Sequence, residues 1–433
     1  MKKEAGTILF NVIPAGVFEL FQGADTGILL LNNGSADSSF HWMAGFGAGK
    51  EFEGKEGNDV FAQLEKFLAS SKNVFGHFSY DLKNSIEALT SKHFSGIEFP
   101  AAYFFIPALF AKKTVDGLEV NAEDENLMEK FHGEFHPVKK ATRFSSAFQL
   151  QERTPKAAYI SNVNALLAHI HRGDIYEINY CIEFFAERVF IDPLAVFQKL
   201  NALCEAPFSV LYKHDEQWLI CASPERFLKK NGKKLISQPI KGTRPRGKDP
   251  EEDERLKKEL LNDPKERSEN VMIVDLVRND LSRSAKKGSV KVEELFGIHS
   301  FKNVHQMIST VTAELEENIH PVTAIRNAFP MGSMTGAPKI RAMQLTEEHE
   351  NMKRGLYSGA VGYFTPGMDF DFNVVIRSIQ YNAKTGYLSL MVGSAITSKS
   401  DPEKEYAECL VKAETLFKAL GVEKVGAGFP VQG

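Results

Sequence analysis

An α+β fold is predicted for this chain on three observations. Strand-like and helix-like segments come in unequal blocks, not in the strict alternation of a doubly wound sheet. Phe occurs 33 times, and rings in that number suit wide sheet-packing interfaces. The 433 residues are 43 % hydrophobic and 25 % charged, ordinary globular values that leave ample material for a core. The length admits two domains or one large one.

Residues 1–145 are rich in Phe, Gly and short apolar runs such as Ile28-Leu29-Leu30-Leu31 and Tyr103-Phe104-Phe105-Ile106. They read as a β-rich region of the same fold, with a helix near 59–71. Gly45-Phe46-Gly47-Ala48-Gly49-Lys50 resembles a phosphate loop, but the first Gly is missing and Glu51 stands where Ser or Thr is required. It reads as a turn without nucleotide. A polar connector begins near residue 121 (Glu123, Asp124, Glu125, Lys139, Lys140), and residues 150–425 form the second region.

That region opens at Thr154-Pro155, read as N-cap and first helical turn. Ile160, Val163, Leu166, Leu167 and Ile170 follow at helical spacing, and Gly173-Asp174 ends the helix. A β-rich stretch runs through Ile182, Phe184, Val189, Val210, Leu219 and Ile220. Later strands are expected at 359–364, 372–380 and 387–392. No internal repeat or low-complexity tract is present.

A net charge of −4 offers no basic field for nucleic acid. The four cysteines include no C-x-x-C pair, which fits a reduced, cytoplasmic protein. The apolar run Ile8 to Phe10 is too short for a secretory segment, and no later run has the length of a membrane span. A soluble, intracellular protein without membrane or nucleic-acid partners is expected.

Two helix starts share one pattern: Asp263-Pro264-Lys265-Glu266-Arg267-Ser268-Glu269 and Asp401-Pro402-Glu403-Lys404-Glu405-Tyr406-Ala407-Glu408. In each, Asp caps, Pro takes the first helical position, and two Glu three apart share a face. The first face continues with Ile273, Leu276 and Val277, the second with Cys409, Lys412 and Leu416. Carboxylates that run into an apolar stripe point inward and need a cation or a proton. Four inward Glu would suit Mg2+, a hard cation that takes oxygen ligands. On spacing alone, a capping box and solvated helix-face charges explain the same residues.

Longer motifs carry more. Ser223-Pro224-Glu225-Arg226-Phe227 precedes Gln238-Pro239-Ile240-Lys241-Gly242-Thr243-Arg244-Pro245. Then come Ser268-Glu269-Asn270, Val274-Asp275-Leu276-Val277-Arg278-Asn279-Asp280-Leu281 and Val304-His305-Gln306-Met307. Phe329-Pro330-Met331-Gly332-Ser333-Met334-Thr335-Gly336-Ala337-Pro338-Lys339 follows. Last are Gly359-Ala360-Val361-Gly362-Tyr363, Ile376-Arg377, Gly393-Ser394-Ala395-Ile396 and the 405–412 helix. This ordered set resembles the chorismate-utilising enzymes, from about residue 154 to 420.

The resemblance implies two facing β-sheets with helices outside and a site between the layers. It implies Glu269 and Glu408 as direct Mg2+ ligands, with Glu266 and Glu405 holding the metal's waters. It implies chorismate as substrate, its second carboxylate held by Arg377, Tyr363 and backbone N–H groups near Gly393, Ser394 and Ala395. Lys412, Thr243 and Ser333 join the binding set, and His305 is expected near the reacting ring.

Lys241 is the residue that selects a branch. Lysine here resembles the branch that makes 4-amino-4-deoxychorismate, whereas the anthranilate branch, the alternative, usually carries alanine. The resemblance implies attack by Lys241 on ring C2, with Glu225 protonating the C4 hydroxyl as it leaves. Leu30-Leu31-Asn32-Asn33 lacks the Leu-Leu-Glu-Ser feedback motif of the anthranilate branch. Glu177 is a departure: relatives using ammonia usually have Gln there, and relatives using water have Lys. No cysteine lies in a Gly-flanked nucleophile elbow, so a separate glutaminase subunit is the expected partner and ammonia source.

Overall fold

The computed structural model describes residues 13–35, 39–55, 59–70, 72–133 and 148–422. Among them the strands form one continuous antiparallel ladder that folds back into two layers. One layer pairs, in order, Thr26–Leu31, Phe208–His214, Gln217–Ser223, Ser378–Asn382, Tyr387–Thr397 and Glu177–Ala186. The other runs from Ala102–Lys113 through Val74–Phe78, Ala360–Phe364, Phe370–Asn373, Arg226–Asn231 and Lys234–Gln238 to Val304–Glu314. Ile240–Pro245 and Lys291–Ser300 also pair with Val304–Glu314.

Side chains alternate across each layer with period two. Ile28, Leu30, Val210 and Tyr212 of one layer meet Phe75, Tyr103, Phe105 and Val361 of the other in an inner core. Leu29, Leu31 and Leu211 point outward, under the helices Ala15–Gly23, Lys156–Arg172, Pro193–Cys204 and Pro402–Leu420. Val74, Phe104 and Phe372 point outward on the opposite side, under Val60–Leu68, Pro264–Ser282 and Pro321–Ala328. The expected facing sheets with outer helices are thus present. Strands of the first third pair directly with later ones, as Thr26–Leu31 does with Phe208–His214.

Several local expectations change. The Gly-rich 45–50 stretch is not a turn. It lies within the strand Trp42–Gly54, which pairs with Thr26–Leu31 at one end and with Ala102–Lys113 throughout. A bulge between Ala48 and Lys50 and a left-handed Gly47 (φ 68°) let this strand bend. Thr154 does not cap: its hydroxyl bonds Asn351 Oδ1 at 3.2 Å, and Pro155 takes the cap position. Gly173 ends the helix as expected, in the left-handed conformation (φ 86°). The predicted 372–380 strand is two strands, Phe370–Asn373 and Ser378–Asn382, interrupted where Arg377 adopts φ 52°. The Pro193–Cys204 helix was not expected, and the connector holds the Glu125–His132 helix, with Lys139 and Lys140 outside the described residues.

Close approach of strands fixes Gly76, whose added Cβ would sit 2.1 Å from the Tyr103 carbonyl oxygen. A backbone atom cannot swing aside as a side chain does. Gly76→Ala is therefore expected to destabilise the fold by about 1–3 kcal/mol, read as a lower urea midpoint at an unchanged m-value.

Candidate active site

A cavity of ≈ 540 Å³ opens between the layers, a volume suited to a small organic ligand. One wall is Asn179 with Met391, Val392, Gly393 and Ala395; the facing wall is Ile240–Pro245 with Val304 and Gln306. The helices Pro264–Ser282 and Pro402–Leu420 close it with Lys265, Glu266, Glu269, Glu408 and Lys412.

Both helices start as their sequences dictate. The Asp263 carboxylate accepts from the Lys265 and Glu266 N–H groups, Asp401 accepts from Lys404, and each Pro follows its cap. The apolar faces bury Ile273 and Val277 on the first helix and Cys409 and Leu416 on the second. Glu269 is thereby carried inward, where burial pushes its pKa up to about 7 against the pull of Lys241 and Lys265. Its Oε1 is buried with no hydrogen-bond partner, and the Lys265 ammonium lies 3.7 Å away. Lys265 also approaches Glu405 Oε1 at 3.4 Å. Burial raises the Glu266 pKa too, opposed by Arg244 at 3.4 Å. Burial likewise acts to raise Glu408, but Lys412 at 2.7 Å, with Lys265 and Lys241, outweighs it and holds the group below its ordinary value.

Lys241 is turned into the cavity by irregular pairing: the register shifts between Ile240 and Thr243, the mark of a bulge. Gly242 follows at φ 88°, and a Cβ there would lie 3.0 Å from Glu266 Oε2, so glycine lets this strand lie against the carboxylate helix. Lys241 Nζ is 2.5 Å from Glu177 Oε1, and both side chains are buried. Burial acts to lower the Lys241 pKa, but the Glu177 and Glu269 carboxylates outweigh it and hold the amine above its usual range. Glu225 sits in the same wall, 4 % exposed. Burial pushes its carboxyl up to about 7, with the Ser333 hydroxyl and the Lys241 charge pulling it back.

Arg377 reaches the cavity from the strand break, held by a bond from its guanidinium to the Lys412 carbonyl at 2.9 Å. Among the described residues no carboxylate lies within ion-pair distance of it. Lys412 Nζ bonds the Gly393 carbonyl at 2.8 Å. Thr243, Ser333, Gly393 and Ala395 lie on the wall as expected.

Three expected site residues, His305, Tyr363 and Glu405, are placed elsewhere. His305 does not face the cavity: strand alternation gives Val304 and Gln306 that side, and His305 is fully buried behind them. Its Nε2 pairs with Asp253 Oδ1 at 2.9 Å and its Nδ1 with Ser300 Oγ at 2.8 Å, tying the strand to the Pro250–Asn262 helix. Tyr363 packs in the inner core, its ring 5.9 Å from Phe40, and Tyr357 stands in the cavity wall instead. At the 393–395 backbone, from which N–H donors are expected, Gly393 and Ala395 line the wall and the Ser394 hydroxyl turns outward to Tyr159 at 2.9 Å. Glu405 is buried behind the wall against Lys265. Asn179, Lys265, Gln306 and Tyr357 were not singled out from sequence; Lys265, beside two inward carboxylates, was the one with a readable signal.

A family model described as chorismate binding enzyme matches residues 28–418. The chain belongs to this family. Among chorismate-binding relatives, aminodeoxychorismate synthase component 1 of Klebsiella aerogenes is 35% identical over 356 residues, covering 82% of this chain and 78% of that one. Aminodeoxychorismate synthase of Streptomyces griseus is 42% identical over 271 residues, 62% of this chain. This chain spans only 37% of that relative's length. Anthranilate synthase component 1 of Thermus thermophilus is 34% identical over 364 residues, covering 82% and 78%. The crystal structure of anthranilate synthase component I from Streptococcus pneumoniae TIGR4 superposes with a TM-score of 0.76 at 23% identity, covering 88% and 92%. That likeness shows the fold. No described helix is long and apolar enough to cross a membrane.

For this chorismate-binding enzyme the Glu225 environment has a measurable consequence. A carboxyl raised from 4.5 to about 7 on folding binds its proton more tightly in the native state. The associated stability is full below about pH 4.5 and is lost as pH rises through about 7, a change of roughly 3 kcal/mol. Glu225→Gln should flatten that part of the stability profile, measured by urea unfolding at each pH.

Proposed function

We propose that this chain converts chorismate and ammonia to 4-amino-4-deoxychorismate, with ammonia supplied by a glutaminase subunit. The observation that carries the reading is Lys241, whose amine lies in the cavity wall together with Glu225. Identity to relatives does not choose the branch, since the aminodeoxychorismate and anthranilate relatives stand at 35% and 34%. A lysine within reach of the ring adds a nucleophile that a small residue at the same position would not supply.

Chorismate carries two carboxylates, and the cavity offers cations for both. Arg377, with no carboxylate within ion-pair distance among the described residues, suits the side-chain carboxylate, with Lys412 beside it. The donor set fits Mg2+, because Glu269 presents a buried oxygen without a partner and Glu408 and Glu266 share its wall. Glu269 and Glu408 would hold the ion, with Glu266 orienting its waters. When bound, Mg2+ neutralises the ring carboxylate and fixes the ring. The Lys241 amine attacks ring C2, and the Glu225 carboxyl, which holds its proton to about pH 7, delivers it to the leaving C4 oxygen. Ammonia then adds at C4 and expels the lysine.

Purified chain given chorismate, Mg2+ and ammonium salt should form aminodeoxychorismate, identified by mass spectrometry. Anthranilate as main product would overturn the reading in favour of the other branch. Lys241→Ala should slow product formation by several orders of magnitude, equivalent to roughly 4–6 kcal/mol of barrier, and let any residual flux leak toward amination at C2. Glu269→Gln or Glu408→Gln should abolish turnover and weaken Mg2+ binding in calorimetry. Near wild-type activity in chelator would refute the metal assignment. The chain alone should use ammonium and not glutamine, which a glutamate-release assay checks.

A further inference from the structure

Glu177 has no part in the steps above, yet it makes the closest polar contact to the nucleophile. It begins the strand Glu177–Ala186 and pairs there with both Ala337 and Thr397, so its backbone is held from two sides. The residue is 4 % exposed and its Oε1 lies 2.5 Å from Lys241 Nζ. We propose that Glu177 is the base that takes the Lys241 Nζ proton and frees the amine for attack. This rests on the lysine-nucleophile reading above.

Attack needs a nitrogen lone pair, and an ammonium paired with a carboxylate has none. The groups facing Lys241 are Glu177 from its strand, Glu225 from the loop before Arg226–Asn231, and Glu269 from the Pro264–Ser282 helix. Glu408 feels Lys241 from the last helix, and Lys265 lies among these carboxylates. Together they favour the charged amine, so the proton must be moved within the site before reaction. Among the described residues, Glu177 is the carboxylate in hydrogen-bond contact with Nζ. Glu225 must arrive protonated to serve as acid, and Glu269 and Glu408 are committed to a cation.

The proton count closes. The Nζ proton moves to Glu177, and the Nζ lone pair forms a bond to C2. The ring double bonds shift from C1–C2 and C5–C6 to C1–C6 and C4–C5. The C4–O bond breaks and the oxygen leaves as water with the Glu225 proton. Ammonia's lone pair then forms the C4–N bond, the double bonds shift back, and the Nζ–C2 bond breaks. Glu177 returns its proton to Nζ, and the new C4 ammonium gives one proton to Glu225. Both carboxyls end as they began, and no oxidant or reductant is required.

An internal transfer has a signature that a structural role lacks. Lys⁺·Glu⁻ and Lys⁰·GluH hold the same number of protons, so bulk pH does not shift one into the other. With Gln at this position the amine must lose its proton to solvent, and its reactive fraction follows pH. The experiment mixes the full chain with Mg2+ and chorismate, without ammonia, and follows the Lys241 adduct by quenched peptide mass spectrometry from about pH 6 to about pH 9. The rate ratio of Glu177→Gln to wild type cancels the titration of Glu225, common to both. That ratio should be far below one at the acid end and climb toward tenfold per pH unit. Glu177→Asp, which keeps a carboxylate at longer reach, should react more slowly than wild type at a pH-independent ratio. A Glu177→Gln variant as fast as wild type or faster, at a constant ratio, overturns the base role and leaves the lysine reading intact. Absence of any Lys241 adduct in wild type overturns the lysine reading and this inference with it.

Discussion

Charge buried in one cavity is the constraint on which this site depends. Glu225, Glu266, Glu269 and Glu408 share a cleft with Lys241, Lys265, Lys412 and Arg377. An ion removed from water costs several kcal/mol unless it is matched. Most are matched in pairs: Lys241 with Glu177, Lys412 with Glu408, and Arg244 with Asp263 and Glu266. Where matching is incomplete the carboxyl keeps its proton, as at Glu225 and Glu269, both raised to about 7. Those two are the groups to which the proposed acid and metal-ligand roles fall. Imperfect compensation marks the reactive positions, as it does where perturbed titration and function coincide.

Pairing of this kind needs rigid walls, and a second buried pair stands behind one of them. Arg354, 2 % exposed, is bidentate to Glu350 at 2.9 and 2.7 Å. It also donates to the carbonyls of Met334 at 2.6 Å and Asn179 at 2.8 Å. Glu350 Oε1 accepts the Cys181 N–H at 2.8 Å. These bonds join the strand Glu177–Ala186 to the Gly332–Met334 turn, and Asn179, Ser333 and Met334 all line the cavity. A pair satisfied on every side fixes geometry more than it adds net stability. Its use here is to hold the wall that carries Glu177 opposite the strand that carries Lys241.

Legibility followed the range of the interactions involved. The two carboxylate helices were readable because cap, Pro and Glu spacing lie within one turn. Glu269 and Glu405 are buried, as are Ile273 and Cys409 one turn on from each, while Glu408 stays partly exposed at the cavity. The residues that went astray depend on partners far along the chain. His305 and Tyr363 sit in motifs that identify the family, but a one-residue step on a strand reverses the face. Pairing with Ile240–Pro245 and with Val74–Phe78 sets which face is which. The glycines at 45–50 mark a bend between layers that local patterning cannot separate from a turn. The 372–380 break was unreadable because Arg377 adopts its positive φ where Ala222 bonds the Arg377 carbonyl, a contact between distant segments.

Choice of reaction within this fold comes down to what stands against the ring at a few positions. A cation for each carboxylate and an acid for the leaving group serve any member that displaces the C4 hydroxyl, so they define the family and not its product. In the proposed reaction Lys241 breaks that neutrality by placing an amine where solvent ammonia would otherwise enter. Its partner lies 64 residues away in the sequence, on the strand that gives Asn179 to the opposite wall. The state of Lys241 does not follow from its own motif: buried alone it would tend to neutrality, and the carboxylate of Glu177 against it favours the charged amine. The proposed reactive group is therefore the pair, and the protonation state of the proposed nucleophile is a property of the two strands brought together.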